Sequence, residues 1–267
     1  MAFEFDRDSM SRQCLSYISR GMVLAKLHGI WPDGRCTCGN PDHAVGKAGE
    51  RTVGKHPVGL DWGDKVAVTE DDVCAWIEEY DRTGVPFNVG VLCGPRGGMI
   101  DSEDDDAAAR AYRESIGMAG PETPTWTSGK STHQLTLWDD ALKGCKGVQK
   151  PGGLEVRIGA GGKAIQSVLP PSWHWSGVQY QWRPTLSPDE IPVAPTPRAL
   201  LVALVNGAGE RTSSPDTREA PASSTCTLTS VPRPRRVMVD TSGTSLPSAN
   251  TSRGVPAAAG APGAGRA

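Results

Sequence analysis

The sequence predicts a mixed α/β (α+β) protein, and three patterns in its 267 residues predict it. Residues 69–80 and 104–115 each open on acidic side chains, as helices do at the positive end of their dipole. Between and after them lie short apolar or alternating runs, too short for helices and bounded by Gly and Pro, which read as strands. Beyond Pro195 the composition changes to Ser, Thr, Pro, Ala and Gly, with too few large apolar residues to offset the entropy of ordering.

In chain order, residues 9–29 place Leu15, Ile18, Met22, Leu24 and Leu27 at helical spacing before Gly29, which predicts one amphipathic helix. Residues 32–66 are rich in Gly, Pro, Lys and Asp and show almost no apolar periodicity. They predict a loop-built module that needs a staple other than a core. Thr69 should cap the next helix, with Val73, Trp76, Ile77 and Tyr80 as its buried stripe. Residues 88–93 and 98–101 read as strands around a Gly-Pro-Arg-Gly turn, followed by the helix at 104–115. Strands are expected at 134–138, 153–158, 163–168 and 179–182, and a short helix at 198–206. The division this implies is a folded domain over 1–194, with a loop-built module at 32–66, and a disordered tail over 195–267.

Charge and cysteine usage narrow the function classes. The formal net charge is −2, but the tail from 195 holds eight Arg and four acids. Residues 1–194 therefore carry 20 basic against 26 acidic side chains, or −6, which does not advertise general nucleic-acid binding. Seven cysteines, Cys14, Cys36, Cys38, Cys74, Cys93, Cys145 and Cys226, form no disulfide framework and fit a reducing compartment. No apolar run is long enough to span a bilayer, and the acidic start is unlike a signal peptide, so a cytoplasmic protein without a membrane partner is expected.

Four constellations carry chemistry. Asp101-Ser102-Glu103 ends an apolar run, and on a strand its two carboxylates share a face, as ligands for a hard divalent cation must; a solvated helix start is the bland alternative. His133 follows the donor-rich loop 127–132, which contains Lys130 and suits a triphosphate. That loop is no P-loop, because Pro124 stands where the first glycine belongs. Gly49 to Lys55 fails too, since His56 replaces the Ser or Thr. Glu155 and Arg157 lie two apart in an apolar strand, either as a third metal ligand with its partner or as an ordinary surface pair. Cys36, Cys38, His43 and His56 offer thiolate and imidazole donors for zinc inside the loop-built module, although Lys55-His56-Pro57 could instead face substrate. The segment 170–182 adds Trp173, His174, Trp175, Tyr180 and Trp182, aromatics that either stack on bases or pack in a core. Arg157 with Lys143, Lys146, Lys150 and Lys163 forms the locally basic stretch that could track a phosphate backbone.

Taken in order over residues 15–183, these motifs resemble the bifunctional DNA primase/polymerase (prim-pol) domain of the archaeo-eukaryotic primase superfamily. The resemblance rests on Gly54-Lys-His-Pro57 after a Cys-rich loop, Gly59-Leu-Asp-Trp62, Asn88-Val-Gly-Val91 with Cys93-Gly94, the acid pair, Ser131-x-His133, Glu155-x-Arg157, and Pro170-Pro-Ser-x-His174 with Tyr180-x-Trp182. It implies a primase-polymerase core with an RRM-like antiparallel sheet and a small zinc-binding insertion. It also implies a template-dependent nucleotidyltransferase that makes or extends primers on single-stranded DNA from NTPs or dNTPs. The catalytic set would be Asp101, Glu103, His133 and Glu155, the three acids holding Mg2+ or Mn2+. Lys130, Ser131, Arg157, Ser172 and His174 would contact nucleotide, and Cys36, Cys38, His43 and His56 would hold Zn2+. The family's later acid is usually Asp, so Glu155 departs from the pattern. That departure keeps two alternatives open: a primase-like initiator or adaptor without catalysis, and a metal-dependent nuclease. Relatives often carry a helicase in the same chain, and none is legible here, so a separate replicative helicase is the expected partner.

Overall fold

A computed structural model describes residues 3–64, 67–118, 122–145, 147–160 and 164–209. Along the chain run α1 (Arg7–Ser19), β1 (Leu24–His28), α2 (Glu70–Thr83), β2 (Phe87–Cys93), β3 (Met99–Asp104) and α3 (Ala107–Ser115). Then follow β4 (Thr125–Thr127), β5 (Thr132–Leu137), β6 (Val148–Gln149), β7 (Glu155–Arg157), β8 (Ile165–Val168), β9 (Gln181–Trp182), β10 (Ala194–Pro195) and α4 (Arg198–Gly209). The result is a mixed α+β protein with two sheets. One has the order β1-β2-β8; the other runs β6-β7-β3-β5-β4-β9, with β10 on β5. All pairings are antiparallel except the last. β4 covers Thr132 to Gln134 of β5, and β10 takes the same strand at Thr136 and Leu137.

The opening helix corrects the reading of 9–29 as a single element. α1 is capped by the Asp6 side chain and ends where Gly21 takes a left-handed φ of 77°, its N–H reaching Ile18 O. Leu24, Ala25 and Leu27 then belong to a strand, because β1 pairs with β2 over five residues. Apolar residues at 22, 24 and 27 satisfy both periods, and the glycine decides between them. α2 forms as expected. Thr69 and Asp72 make a reciprocal capping box, Val73 and Ile77 are buried, and Trp76 and Tyr80 pack beside them.

The strand expected at 98–101 extends to Asp104, and the helix expected from 104 begins at Ala107 with Asp106 as its cap. The acid run reads locally as a helix start. Pairing of β3 with β5 on one edge and β7 on the other keeps it extended. The Gly-Pro-Arg-Gly turn links β2 of one sheet to β3 of the other, with an isolated bridge between Gly94 and Met99. A Cβ at Gly97 would stand 1.7 Å from Leu92 O, so no larger residue fits there.

The larger sheet separates two cores. Met99, Leu135 and Trp126 face one that includes Tyr17, Leu24, Leu27, Val89 and Val91 beneath α1 and α2. Ile100 and Val156 face the other, with Met118, Leu142, Leu154, Ile158 and the α4 residues Leu200 and Leu204. Apolar packing therefore continues past residue 194, where the sequence suggested the fold would end. The region 32–64 is loop-built as expected, with a short 3-10 turn at Glu50–Thr52 and a small cluster of Phe3, Ile30, Cys36 and Val53. Among the described residues no helix is long and apolar enough to cross a membrane. The tail from 210 onward, with Cys226, and the lysines Lys146 and Lys163 lie outside the described residues.

Candidate active site

The site is assembled on one face of the larger sheet by register. β3 aligns Glu103 with His133 of β5 and with Glu155 of β7, and aligns Asp101 with Arg157. Directly paired residues share a face, and residues two apart on a strand return to it. Asp101, Glu103, His133, Glu155 and Arg157 therefore project together, as the spacing of the two acids anticipated. Trp126 of β4 extends the row, its ring stacked on His133 at 4.8 Å and 7°.

Arg157 is the hub. Its guanidinium donates to Asp101 Oδ2 at 2.7 Å and Glu103 Oε2 at 2.6 Å, and lies 2.7 Å from Glu155 Oε1. Asp101 Oδ2 also accepts from His133 Nδ1 at 3.0 Å and from Ser167 Oγ at 2.6 Å, the serine reaching across from β8 of the smaller sheet. Burial alone would push the Asp101 carboxyl up, but His133, Arg157 and Ser167 outweigh it and hold it at about 2. Glu103 is held at about 2 in the same way: burial and neighbouring Asp101 push it up, His133 and Arg157 more than offset them. The three acids in turn raise the Arg157 guanidinium above its ordinary value despite its burial. Because Asp101 is ionised, it is the imidazole Nδ1–H that donates, which leaves His133 Nε2 facing Glu103 Oε1 at 3.5 Å.

Asp101 Oδ1, His133 Nε2 and Trp126 Nε1 are buried here without a hydrogen-bond partner among the described residues. An orphaned carboxylate oxygen beside a second acid suits a hard cation, so the residues present fit Mg2+ or Mn2+. Glu155 stands at the edge of this arrangement, bound by Lys150 Nζ at 2.6 Å as well as by Arg157. The acids converge on a guanidinium. Among the described residues, Cys36, Cys38 and His56 are the set whose ligand atoms all lie within 4.8 Å of one another.

The other expected contacts divide. Ser131 is buried and donates to Asp105, and Lys130 is exposed on the same loop. His174 packs edge-on against Tyr180, with ring centroids 5.7 Å apart. Burial and the nearby Lys55 and His133 charges lower its pKa to about 4, against the pull of Glu103. Ser172 is fully buried, accepts from Val89 N–H and donates to Val89 O. The tryptophans likewise pack inward. Trp173 meets Phe3 and donates to Glu4 O, while Trp182 meets Tyr17 and Trp126. Sequence reasoning missed Ser167 and Trp126. Only long-range pairing brings them in, and no local motif marks Ser167 in its apolar run.

The loop-built module brings thiols and imidazoles together. His56 Nε2 is 3.2 Å from Cys36 Sγ, and His43 Nδ1 is 3.3 Å from Cys38 Sγ, with the two imidazoles 4.6 Å apart. Paired thiols and imidazoles at this spacing can bind a metal ion. His56 faces the thiols, and burial lowers the pKa of the preceding Lys55 against the pull of the Glu103, Asp105 and Glu155 charges.

Compared with protein-family models, residues 14–199 match the bifunctional DNA primase/polymerase, N-terminal (Prim-Pol) family, more than two thirds of the chain. The chain belongs to this family. No curated protein sequence matches it. Membership places the prim-pol chain among DNA primases and polymerases, a nucleotidyltransferase family that acts with DNA, nucleotides and divalent metals. In this prim-pol chain the match begins at Cys14 in α1 and ends at Ala199 in α4, enclosing both sheets.

Proposed function

We propose that this prim-pol protein makes or extends primers on single-stranded DNA from nucleoside triphosphates by two-metal nucleotidyl transfer. The observation that carries the reading is the convergence of Asp101, Glu103, His133 and Glu155 on one strand face, with Asp101 Oδ1 unpartnered. Asp101 and Glu103 would hold Mg2+ or Mn2+, with Glu155 as the third acid. When bound, such cations activate the attacking 3'-hydroxyl and neutralise the departing pyrophosphate. Arg157 keeps both inner carboxylates ionised and aligned for that role. His133, fixed by Asp101 and by the Trp126 stack, would contact the triphosphate together with Ser131 and Lys130 of the preceding loop. His174 stands nearby as a neutral imidazole. Cys36, Cys38, His43 and His56 would hold a structural Zn2+ that cross-links a module with little core of its own. A cytoplasmic setting and a separate replicative helicase complete the reading.

The test is incorporation of labelled nucleotide on a single-stranded template with Mg2+ or Mn2+. Wild type should synthesise, and Asp101→Ala and Glu103→Ala should each lose at least about 100-fold, since each removes a charge acting on the transition state. Activity that survives both substitutions would overturn the assignment. Binding of template and nucleotide without synthesis would favour the initiator or adaptor, a reading that the occupation of Glu155 by two cationic side chains supports. Template degradation would favour the nuclease.

A further inference from the structure

α3 turns a charged side chain toward the larger sheet. Its buried residues are Ala109 and Arg113, one helical turn apart, and Arg113 is only 5 % exposed. The face it meets is the one opposite the acids, because Ser102 and Asp104 alternate with Asp101 and Glu103 along β3. Arg113 Nε lies 3.2 Å from Asp104 Oδ2. Its Nη2 donates to Ser102 O at 2.9 Å and to Thr132 O at 3.1 Å, which uses both hydrogens of that nitrogen. Asp104 completes the bridge, since its Oδ1 accepts from Thr132 N–H at 3.1 Å where β3 and β5 end their pairing. One buried ion pair therefore ties the two strands together.

These contacts fall beside the candidate catalytic residues. Ser102 stands between Asp101 and Glu103, and Thr132 precedes His133. On the acid face the same two strands keep a fine spacing: His133 Nδ1 donates to Asp101 Oδ2 at 3.0 Å, while its Nε2 stays 3.5 Å from Glu103 Oε1. Packing alone does not call for an arginine behind them. Arg113 Nε and Nη1 have no hydrogen-bond partner among the described residues, and a buried ion pair is often matched in stability by apolar side chains of similar volume. α3 already packs Tyr112 against the core of Ile100, Leu154 and Val156. What an apolar residue at 113 could not do is bind main-chain carbonyls on two strands at once.

We propose that Arg113, paired with Asp104, is a positioning residue for the carboxylate site: from the opposite face of the sheet it fixes the strand of Asp101 and Glu103 relative to the strand of His133. The inference rests on the polymerase reading and adds to it a residue that touches neither metal nor nucleotide. A displacement of about 1 Å at reacting groups can cost about 100-fold in rate, so a tie one residue away from each of them has a large lever.

Primer extension by the full chain, with dATP and Mn2+ each varied below the melting temperature of every variant, tests this beside urea unfolding and calorimetric titration of Mn2+. Arg113→Met should be destabilised, because it leaves Asp104 buried and unpaired, and adding Asp104→Leu should return most of that stability. In both variants kcat should fall about tenfold or more, KM for dATP should stay within about twofold, and the Mn2+ binding that Asp101→Ala abolishes should weaken about tenfold. Recovery of kcat and Mn2+ affinity together with stability in the double variant overturns the proposal, since Arg113 would then only hold the fold. Arg113→Lys covers a double variant that does not fold. Lysine keeps the charge opposite Asp104 but not the guanidinium fork, so kcat should again fall about tenfold, and wild-type kcat there overturns the proposal. Arg110→Ala, an exposed change 3.9 Å from the same carboxylate, should alter neither kcat nor Mn2+ affinity. Wild type that binds Mn2+ at Asp101 without extending primers overturns the polymerase reading alone, and Mn2+ affinity in the variants still decides on Arg113. Wild type that binds no Mn2+ there overturns both.

Discussion

Asp101 is bound on one oxygen and bare on the other: Oδ2 accepts from Arg157, His133 and Ser167, while Oδ1 has no partner among the described residues. Such asymmetry orients a carboxylate without neutralising it. Arg157 is the counter-charge that makes a buried acid pair tolerable, so Arg157→Met should destabilise the protein by about 3 kcal/mol by leaving buried carboxylates unpaired. Mn2+ should restore more of the thermal stability in this variant than it adds to wild type. A melting temperature that Mn2+ shifts equally in both would count against cation binding at these acids. At this scale much was legible. Alternation alone placed Asp101 with Glu103 and Glu155 with Arg157, because period two is a property of the strand and not of its neighbours. Ser167 and Trp126 were not legible, since nothing local to either residue says which strand lies across from it.

Elements were read best where a cap and a stripe agree. Thr69 with Asp72 and the Val73–Ile77 stripe specify α2 twice over, and the helix forms where expected. Thr69→Ala removes the hydroxyl that accepts from Asp72 N–H and should cost about 1 kcal/mol in urea unfolding, with an unchanged denaturant slope. No measurable loss would mean that the Asp72 side chain alone suffices. Reading failed where two periods fit one run. Residues 22–28 satisfy a helix and a strand equally, and the φ of Gly21 settles the matter in favour of β1. The Asp104 boundary moved because pairing with Thr132 of β5 overrides a local preference for a helix start.

Across the whole molecule, one sheet carries both the chemistry and the division of the core. Its acid-bearing face is closed by the smaller sheet through Ser167, and its opposite face is filled by Ile100, Val156 and the α4 residues Leu200 and Leu204. A helix after residue 195 was legible from its apolar run, but not the core it serves, because sequence gives a helix's apolar face without its destination. Leu204 is fully buried, so Leu204→Ala should destabilise the folded unit by about 2–5 kcal/mol in chemical denaturation. A loss under about 0.5 kcal/mol would mean that α4 is dispensable to the core.

The central claim is that the face bearing Asp101, Glu103 and Glu155 is a polymerase centre, and anomalous diffraction from crystals grown with Mn2+ and a non-hydrolysable nucleoside triphosphate tests it most directly. The account predicts manganese density touching both Asp101 and Glu103, with the triphosphate beside His133. A triphosphate bound with manganese elsewhere, and these carboxylates still closed around Arg157, would contradict it.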